Sequence, residues 1–203
     1  MPTRRLITRR LVVGAFLACA ALAGCGTTRF AFADPNIGKG PEAPVGSYWK
    51  YKLPLTPGIR LSGQQVVQAQ FGEQRGAFQA IMDIRPDLMT LVITAAEGPR
   101  LVTMTWDRTG IKEERTVFAP AAIQGVNVIS DIFLSLWPME TVKASMPQGV
   151  RAEEVGKVRR FSDEAGKVLV EVETLEKAPN HMVAEVRSKE MGYVLKVTTE
   201  LDP

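Results

Sequence analysis

The sequence predicts a mainly β domain, an unclosed antiparallel β-barrel, or half-barrel, covered by a helical lid. Short segments that alternate apolar and polar residues lie on both sides of the chain's middle. The breaks between them are short and contain Gly or Pro, which favours antiparallel neighbours because parallel strands need long crossovers. Between these two groups of segments lies one strongly apolar segment whose apolar residues recur at helical spacing.

Ten or eleven strands are predicted, six before the apolar segment and five after it. The first set is Tyr48 to Leu53, Arg60 to Phe71, Ala77 to Ile84, Leu88 to Ala95, Arg100 to Asp107 and Ile111 to Phe118. The second set is Val150 to Val155, Lys157 to Ser162, Lys167 to Glu176, His181 to Ser188 and Tyr193 to Leu201. Each strand presents one apolar and one polar face, so the sheet has to curl around something or be covered.

The apolar segment from Gly125 to Trp137 is the predicted cover. It is apolar on nearly every side, which is typical of an enclosed helix rather than a surface one. Residues four apart share one of its faces: Ile129, Phe133 and Trp137. Pro138 then opens a second short helix, Met139 to Met146.

The first 25 residues have the layout of a secretory signal. Four arginines precede an apolar run from Leu11 to Leu22, and Ala23-Gly24-Cys25 follows. This ending resembles the lipobox of bacterial lipoproteins, which implies that residues 1–24 are removed and that Cys25 carries the lipid. An ordinary cleavage near Ala31-Phe32-Ala33 and a twin-arginine export route are the alternatives.

The charge of the chain depends on this cleavage. Residues 1–24 hold four of the 25 basic residues and none of the 22 acidic ones, so the remainder has 21 against 22 and a net charge of about −1. A nucleic-acid partner is not expected, because such proteins usually carry a basic patch or stripe. Arg159-Arg160 is interpreted as the solvated face of a strand.

For the rest of the chain, the sequence predicts a tether followed by one domain. Residues 25–47 are rich in Gly, Pro and Thr and form the lipidated N-terminus and a flexible tether. Residues 48–203 are enough for a single core. With Cys19 in the signal and Cys25 acylated, no thiol is left for a disulfide or a metal site.

The sequence does not favour an enzyme. It contains one histidine, His181, and neither a nucleophile elbow, a zinc-protease motif nor a phosphate-binding glycine loop. Glu171 and Glu173, a carboxylate pair of the kind that glycosidases use, fall on the polar sheet face. No catalytic residue, cofactor or metal is therefore predicted.

A resemblance rests on Ser130-Asp131-Ile132-Phe133-Leu134-Ser135-Leu136-Trp137-Pro138-Met139-Glu140 and on the closing strand Gly192 to Val197. This pattern resembles an uncharacterised family of bacterial lipoproteins with a D-x-x-x-x-x-W-P helix after a strand meander. The family is similar to the periplasmic lipoprotein carrier and its outer-membrane receptor, whose LolA/LolB-like fold is a half-barrel with a helical lid over an acyl cavity. Members are often encoded beside aryl-polyene or fatty-acid-like synthesis genes, which implies a lipid or polyene-bearing cargo.

The predicted ligand-binding residues face the inside of this half-barrel. They are Phe78, Met82, Leu91, Ile93, Met104, Trp106, Ile129, Phe133, Trp137, Val170 and Leu195. Asp131 and Pro138 are predicted to shape the lid, and Trp137 could mark the cavity mouth. A buried Asp131 needs a donor, so backbone N–H groups or an arginine are expected, with helix capping or a solvent-facing position as alternatives.

The sequence leaves two functions open, and each requires a different interior of the half-barrel. In the first, an outer-membrane lipoprotein takes up a lipid-like molecule and aids its transport, which a continuous cavity favours. In the second, a scaffold docks a periplasmic carrier or envelope protein, which a closed core with an exposed apolar patch favours. Similarity to other lipoproteins, with Gly26 in place of an aspartate retention signal, implies an anchor on the periplasmic face of the outer membrane.

Overall fold

The computed structural model describes residues 52–121 and 123–203. Its strands are β1 Leu61–Phe71, β2 Gln74–Ile84, β3 Leu88–Ala95, β4 Arg100–Asp107, β5 Gly110–Arg115, β6 Arg151–Val155, β7 Val158–Ser162, β8 Val168–Ala178, β9 His181–Ser188 and β10 Tyr193–Leu201. Its helices are α1 Gly125–Leu136 and α2 Met139–Ser145. The fold is mainly β, as the sequence predicts.

All ten described strands form one antiparallel sheet in the order β5-β4-β3-β2-β1-β10-β9-β8-β7-β6. The first and last strands pair at its centre, from Gly63 opposite Leu201 to Phe71 opposite Tyr193. The edge strands β5 and β6 are not paired with each other in the described chain, so the barrel is unclosed. The two helices connect these edges and cover the sheet, which confirms the half-barrel with a helical lid.

Most strand boundaries agree with the sequence prediction to within one or two residues. The largest differences are in β2 and β5. β2 starts at Gln74 because Gly72, at φ 58°, makes a tight turn in the left-handed region. β5 ends at Arg115, and its predicted continuation, Val117 and Phe118, lies exposed in the loop that leads to α1.

The alternating residues build one core between the sheet and α1. From Gly125 to Leu134 every residue of the helix is buried, so the prediction of an enclosed helix is confirmed. Trp137 stacks on Trp106 of β4 with ring centroids 5.8 Å apart, and Phe133 packs on it at 5.4 Å. The Trp137 indole N–H donates to the Pro57 carbonyl at 2.8 Å, which secures the segment before β1 to the lid.

Arg159 of β7 holds the carboxyl end of α1. Its Nη1 donates to the carbonyls of Leu134, Ser135 and Trp137 at 3.0, 3.1 and 2.8 Å. These are among the carbonyls that a helix end leaves without a partner, and a guanidinium also complements the negative end of the helix dipole. The interpretation of Arg159 as a solvated face is therefore wrong, because its planar head reaches under the lid instead of into water.

Two glycines permit close approaches that position the lid and the sheet centre. A Cβ on Gly63, at φ 154°, would meet the Glu200 carbonyl oxygen of the neighbouring strand. A Cβ on Gly125 would overlap the Met104 side chain, so the first turn of α1 lies directly against β4.

Several predictions fall outside the described residues. They are the signal peptide 1–24, Cys25, the tether 25–47 and most of the predicted first strand. Of that strand, Lys52 donates its backbone N–H to the Ser145 carbonyl at 3.1 Å, and Leu53 is buried. Neither described helix has the length and hydropathy needed to cross a membrane.

Candidate functional site: a cavity at the amino end of the lid

A cavity of about 240 Å³ lies where the first turns of α1 meet the centre of the sheet. Its walls come from the β1–β2 hairpin, the loop before α1, α1 itself and the start of β10. The lining residues are Ala69, Phe71, Gln74, Arg75, Gly76, Ala77, Phe78, Pro120, Ile123, Gln124, Asn127, Val128, Asp131, Tyr193 and Leu195. Most of them are apolar, and the exposed Gln74, Arg75 and Gly76 form a rim toward solvent.

The loop wall is positioned by Arg115, the last residue of β5. Its guanidinium donates to the carbonyls of Ile123 at 2.6 Å and Pro120 at 3.0 Å. It also pairs with Glu113 at 2.6 Å. Because Pro120 and Ile123 both line the cavity, Arg115 fixes the distance between this wall and the sheet.

Polar side chains form a stripe along one face of α1, four residues apart. Asn127 and Asp131 line the cavity, and Ser135 lies on a narrower space of about 20 Å³ that continues beneath the helix. That space is also lined by Gln65, whose amide donates to the Thr199 hydroxyl at 3.1 Å. The opposite face of α1 is apolar and leads to Trp137 and its ring contacts. The polar and the apolar face of α1 therefore pack on different parts of the same sheet.

Asp131 and Tyr193 form the central contact of this stripe. The Tyr193 hydroxyl donates to the Asp131 carboxyl at 3.0 Å to Oδ1 and 3.3 Å to Oδ2. Burial raises the pKa of Asp131 well above 3.8, because ionising the carboxyl there would place a charge in a poorly hydrated interior. Burial likewise raises the pKa of Tyr193, which favours the phenol that donates this hydrogen bond.

Asn127 is the least satisfied group of the cavity. Its side-chain amide nitrogen and oxygen are both buried and have no hydrogen-bond partner among the residues that the structure describes, and the whole residue is only 7% exposed. A buried donor or acceptor without a partner costs about 1–3 kcal/mol. Such a group beside a cavity indicates a place for a molecule that can donate and accept hydrogen bonds.

Residues 62–201 match the model of a family described as a protein of unknown function, DUF3261. The chain belongs to this family. The match extends from the second residue of β1 to the last residue of β10, so nearly the whole sheet, both helices and the residues that line the cavity lie within the matched region. None of the curated proteins compared with the chain matches it.

In this DUF3261 domain, the eleven predicted ligand-binding residues are close together but do not all meet the cavity. Phe78 and Leu195 line it. The other nine belong to the packed core and do not line it: Met82, Leu91, Ile93, Met104, Trp106, Ile129, Phe133, Trp137 and Val170. Their side chains meet between sheet and lid, so the interior is filled there and the cavity is left at one end.

The structure corrects two of the expectations for the lid. Asp131 is buried in the second turn of α1, which excludes the capping and solvent-facing alternatives, and it accepts a hydrogen bond from the Tyr193 hydroxyl. Trp137 is buried in the core and does not mark the mouth of the cavity. Pro138 begins α2 as predicted, accepting the Val142 N–H at 3.1 Å, and it lies exposed.

Sequence reasoning missed Asn127, Tyr193, Arg115 and Arg159 as site or lid residues. One signal could have found Asn127: it precedes Asp131 by four residues in an otherwise apolar helix, so the two share a face. Nothing local marks the arginines, because the carbonyls that each one binds lie on another element of the chain.

Proposed function

We propose that this DUF3261 protein is a non-enzymatic, outer-membrane-anchored periplasmic lipoprotein. It holds one end of a lipid-like or polyene-bearing molecule in the cavity at the amino end of the lid and aids the transport or insertion of that molecule. The observation that carries the proposal is the cavity itself, an apolar space left open beside a core that is otherwise filled.

The size of the cavity supports the binding of part of a molecule. Pockets that enclose a drug-sized ligand measure about 300–1,000 Å³, and this one measures about 240 Å³. A long-chain molecule would place one end inside and leave the rest at the rim. The walls suit such an end, because Phe71, Phe78 and Leu195 offer aromatic and aliphatic surface.

Exposed apolar residues beside the cavity support contact with a membrane. Val117 is 93% exposed and Phe118 is 73% exposed, on the same loop whose Pro120 and Ile123 form a cavity wall. An apolar pair of this kind gains free energy on entering an apolar environment. A cargo passing between the cavity and a bilayer would leave or enter beside these residues.

The anchor is the sequence-based part of the proposal. Two or three acyl chains on Cys25 would hold the domain at the membrane firmly, whereas a single chain binds only marginally. Replacing Cys25 by serine should release the domain into the soluble fraction or leave it unprocessed. Membrane fractionation and the mature mass decide this, and a variant that fractionates with membranes at the parent's mature mass would contradict the anchor.

The acyl-type cargo is what the resemblance of the sequence to the lipoprotein carrier and receptor, with their half-barrel and lid, implies. An open sheet and a helical lid are the two fold features that the proposal takes from that resemblance. The cavity here is confined to one end, which favours a cargo with a compact end group over several long chains held side by side.

Native mass spectrometry of the soluble form that Cys25→Ser releases tests the cargo without detergent. We expect the protein purified from its own cells to carry a stoichiometric adduct whose extract contains acyl or polyene chains. Val128→Phe places a ring in the cavity and should remove the adduct, whereas the same change at Val66, on the outer face of β1, should keep it. An adduct that survives Val128→Phe, or no adduct in the parent, would contradict cargo binding in this cavity.

A second function, a scaffold that docks a periplasmic carrier or another envelope protein, is favoured by the filled core. Val66 and Ile81, which are 41% and 50% exposed, lie on the outer face of neighbouring strands. A partner that covers them would bind whether or not the cavity is blocked. Co-purification that is lost in Ile81→Ser and kept in Val128→Phe would favour the scaffold.

A further inference from the structure

We propose that the cavity selects an uncharged end group that both donates and accepts hydrogen bonds, such as a hydroxyl or a carboxamide, and that Asn127 is the residue that binds it. This inference rests on the proposed function and names the class of ligand that the same cavity takes. It starts from the unpartnered Asn127 amide, which is nine-tenths buried and lines the cavity.

The chemistry of the amide defines what can satisfy it. An asparagine side chain has two N–H donors and a carbonyl oxygen with two lone pairs. Both ends of the Asn127 amide lack a partner in the described chain, so either orientation of the group leaves a donor and an acceptor unsatisfied. A hydroxyl or carboxamide can accept from the nitrogen and donate to the oxygen. A methyl end can do neither, and a carboxylate can only accept.

The charges around the cavity argue against an anionic end group near Asn127. Asp131 lies one helical turn away on the same face, and burial favours its uncharged carboxyl, so it offers an anion no positive charge. Among the described residues that line the cavity, Arg75 is the one cationic side chain, and it is exposed at the rim. An anion at the helix would be buried without a facing cation, which is costly. An anionic group would therefore stay at the rim beside Arg75.

The surrounding walls explain why the end group would be attached to an apolar chain or ring. Phe71 and Tyr193 pack with centroids 5.4 Å apart, and Phe78, Ile123 and Leu195 complete an apolar surround. A water molecule has no apolar part for these walls to contact. An amphiphile satisfies the amide with its end group and covers the walls with its first carbons.

Three ten-carbon probes separate the end groups: decan-1-ol, decanamide and decanoate. Equilibrium dialysis would use the full chain with Cys25→Ser at pH 7.5. We expect the alcohol and the amide to bind about tenfold more tightly than decanoate, the effect of one well-made hydrogen bond. Asn127→Leu should weaken the two neutral probes about tenfold and change decanoate affinity less than about twofold.

Asn180→Leu is the matched control, because Asn180 is exposed in the β8–β9 turn and should leave all three affinities unchanged. Asn127→Ala repeats the test without the bulk of leucine, and the thermal midpoint of each variant reports whether it folds. Equal binding of the three probes, unchanged by either Asn127 variant, would overturn the selection while leaving lipid binding intact. No binding of any probe would overturn the cavity as a lipid site as well.

Discussion

The two ends of α1 contrast in how completely the polar groups of the helix and its cap residues are hydrogen-bonded. At the carboxyl end, one guanidinium binds three carbonyls and Trp137 is enclosed by Trp106, Phe133 and the Pro57 carbonyl. At the amino end of the described helix, the Gln124 side chain makes no capping hydrogen bond and the first turn contains no acidic residue. The Asn127 amide there has no hydrogen-bond partner among the described residues. The carboxyl end of the lid is thus held in place by hydrogen bonds and ring packing, whereas the amino end leaves polar groups open to a ligand. One end of the helix contributes to the stability of the fold and the other to the proposed binding.

The largest expected effect is at the carboxyl end of α1. Trp137→Ala removes the indole from its stack and leaves the Pro57 carbonyl without its donor. We expect a loss of about 4 kcal/mol in the free energy of unfolding, in the range of large aromatic deletions from cores. Urea unfolding of the full chain with Cys25→Ser would measure it. A loss below about 1 kcal/mol would show that this end is not the anchor of the lid.

Arg159→Met should cost about 3 kcal/mol, because three carbonyls at the end of α1 lose a charged donor. The matched control is Arg160→Met. Arg160 is the next residue, and its guanidinium pairs with Glu171 at 3.0 Å on the outer face. An exposed ion pair contributes about 0–1 kcal/mol, so the control should lose far less. Equal losses in the two variants would remove the contrast between the ends of the helix.

The Asp131 carboxyl should make stability depend on pH. Because burial raises its pKa in the folded state, the unfolded chain ionises first as the pH rises above about 3.8. Its contribution is complete below that pH and falls by up to about 1.4 kcal/mol per pH unit until the folded carboxyl also ionises. Asp131→Asn lacks this fall, so the variant should gain on the parent as the pH rises. Parallel curves for the two proteins would contradict a buried carboxyl.

The smallest expected effect has the opposite sign. Asn127→Leu replaces an unpartnered buried amide by an apolar side chain, and it should raise the free energy of unfolding by about 1 kcal/mol. A stabilising change that weakens ligand binding is typical of a position kept for function. A destabilised variant would indicate that the amide is satisfied in the folded protein without a ligand. The thermal midpoint and the denaturant midpoint, measured together, decide the sign.

The strands and the lid could be predicted from sequence because their signals are local. Alternation along β3, β4, β9 and β10 gave their boundaries to the residue, and the apolar run gave α1 to within one residue. The cavity could not be predicted, since it depends on which inward side chains meet. Met82 and Leu91 are as apolar as Phe78, yet they meet neighbours on all sides whereas Phe78 borders a gap. That difference is set by packing distances and leaves no pattern in the sequence.

The central pairing of β1 with β10 sets an order of events for folding. Eight of the nine described strand pairings join neighbours in sequence across short turns, and the pairing from Gly63 opposite Leu201 joins the two ends of the domain. Local hairpins form in microseconds, whereas closing a loop that contains the entire lid must overcome a larger entropic cost. The domain is therefore two five-stranded meanders that can form independently and become one protein when their first and last strands meet. Time-resolved hydrogen exchange should show the β1–β10 amides protected last.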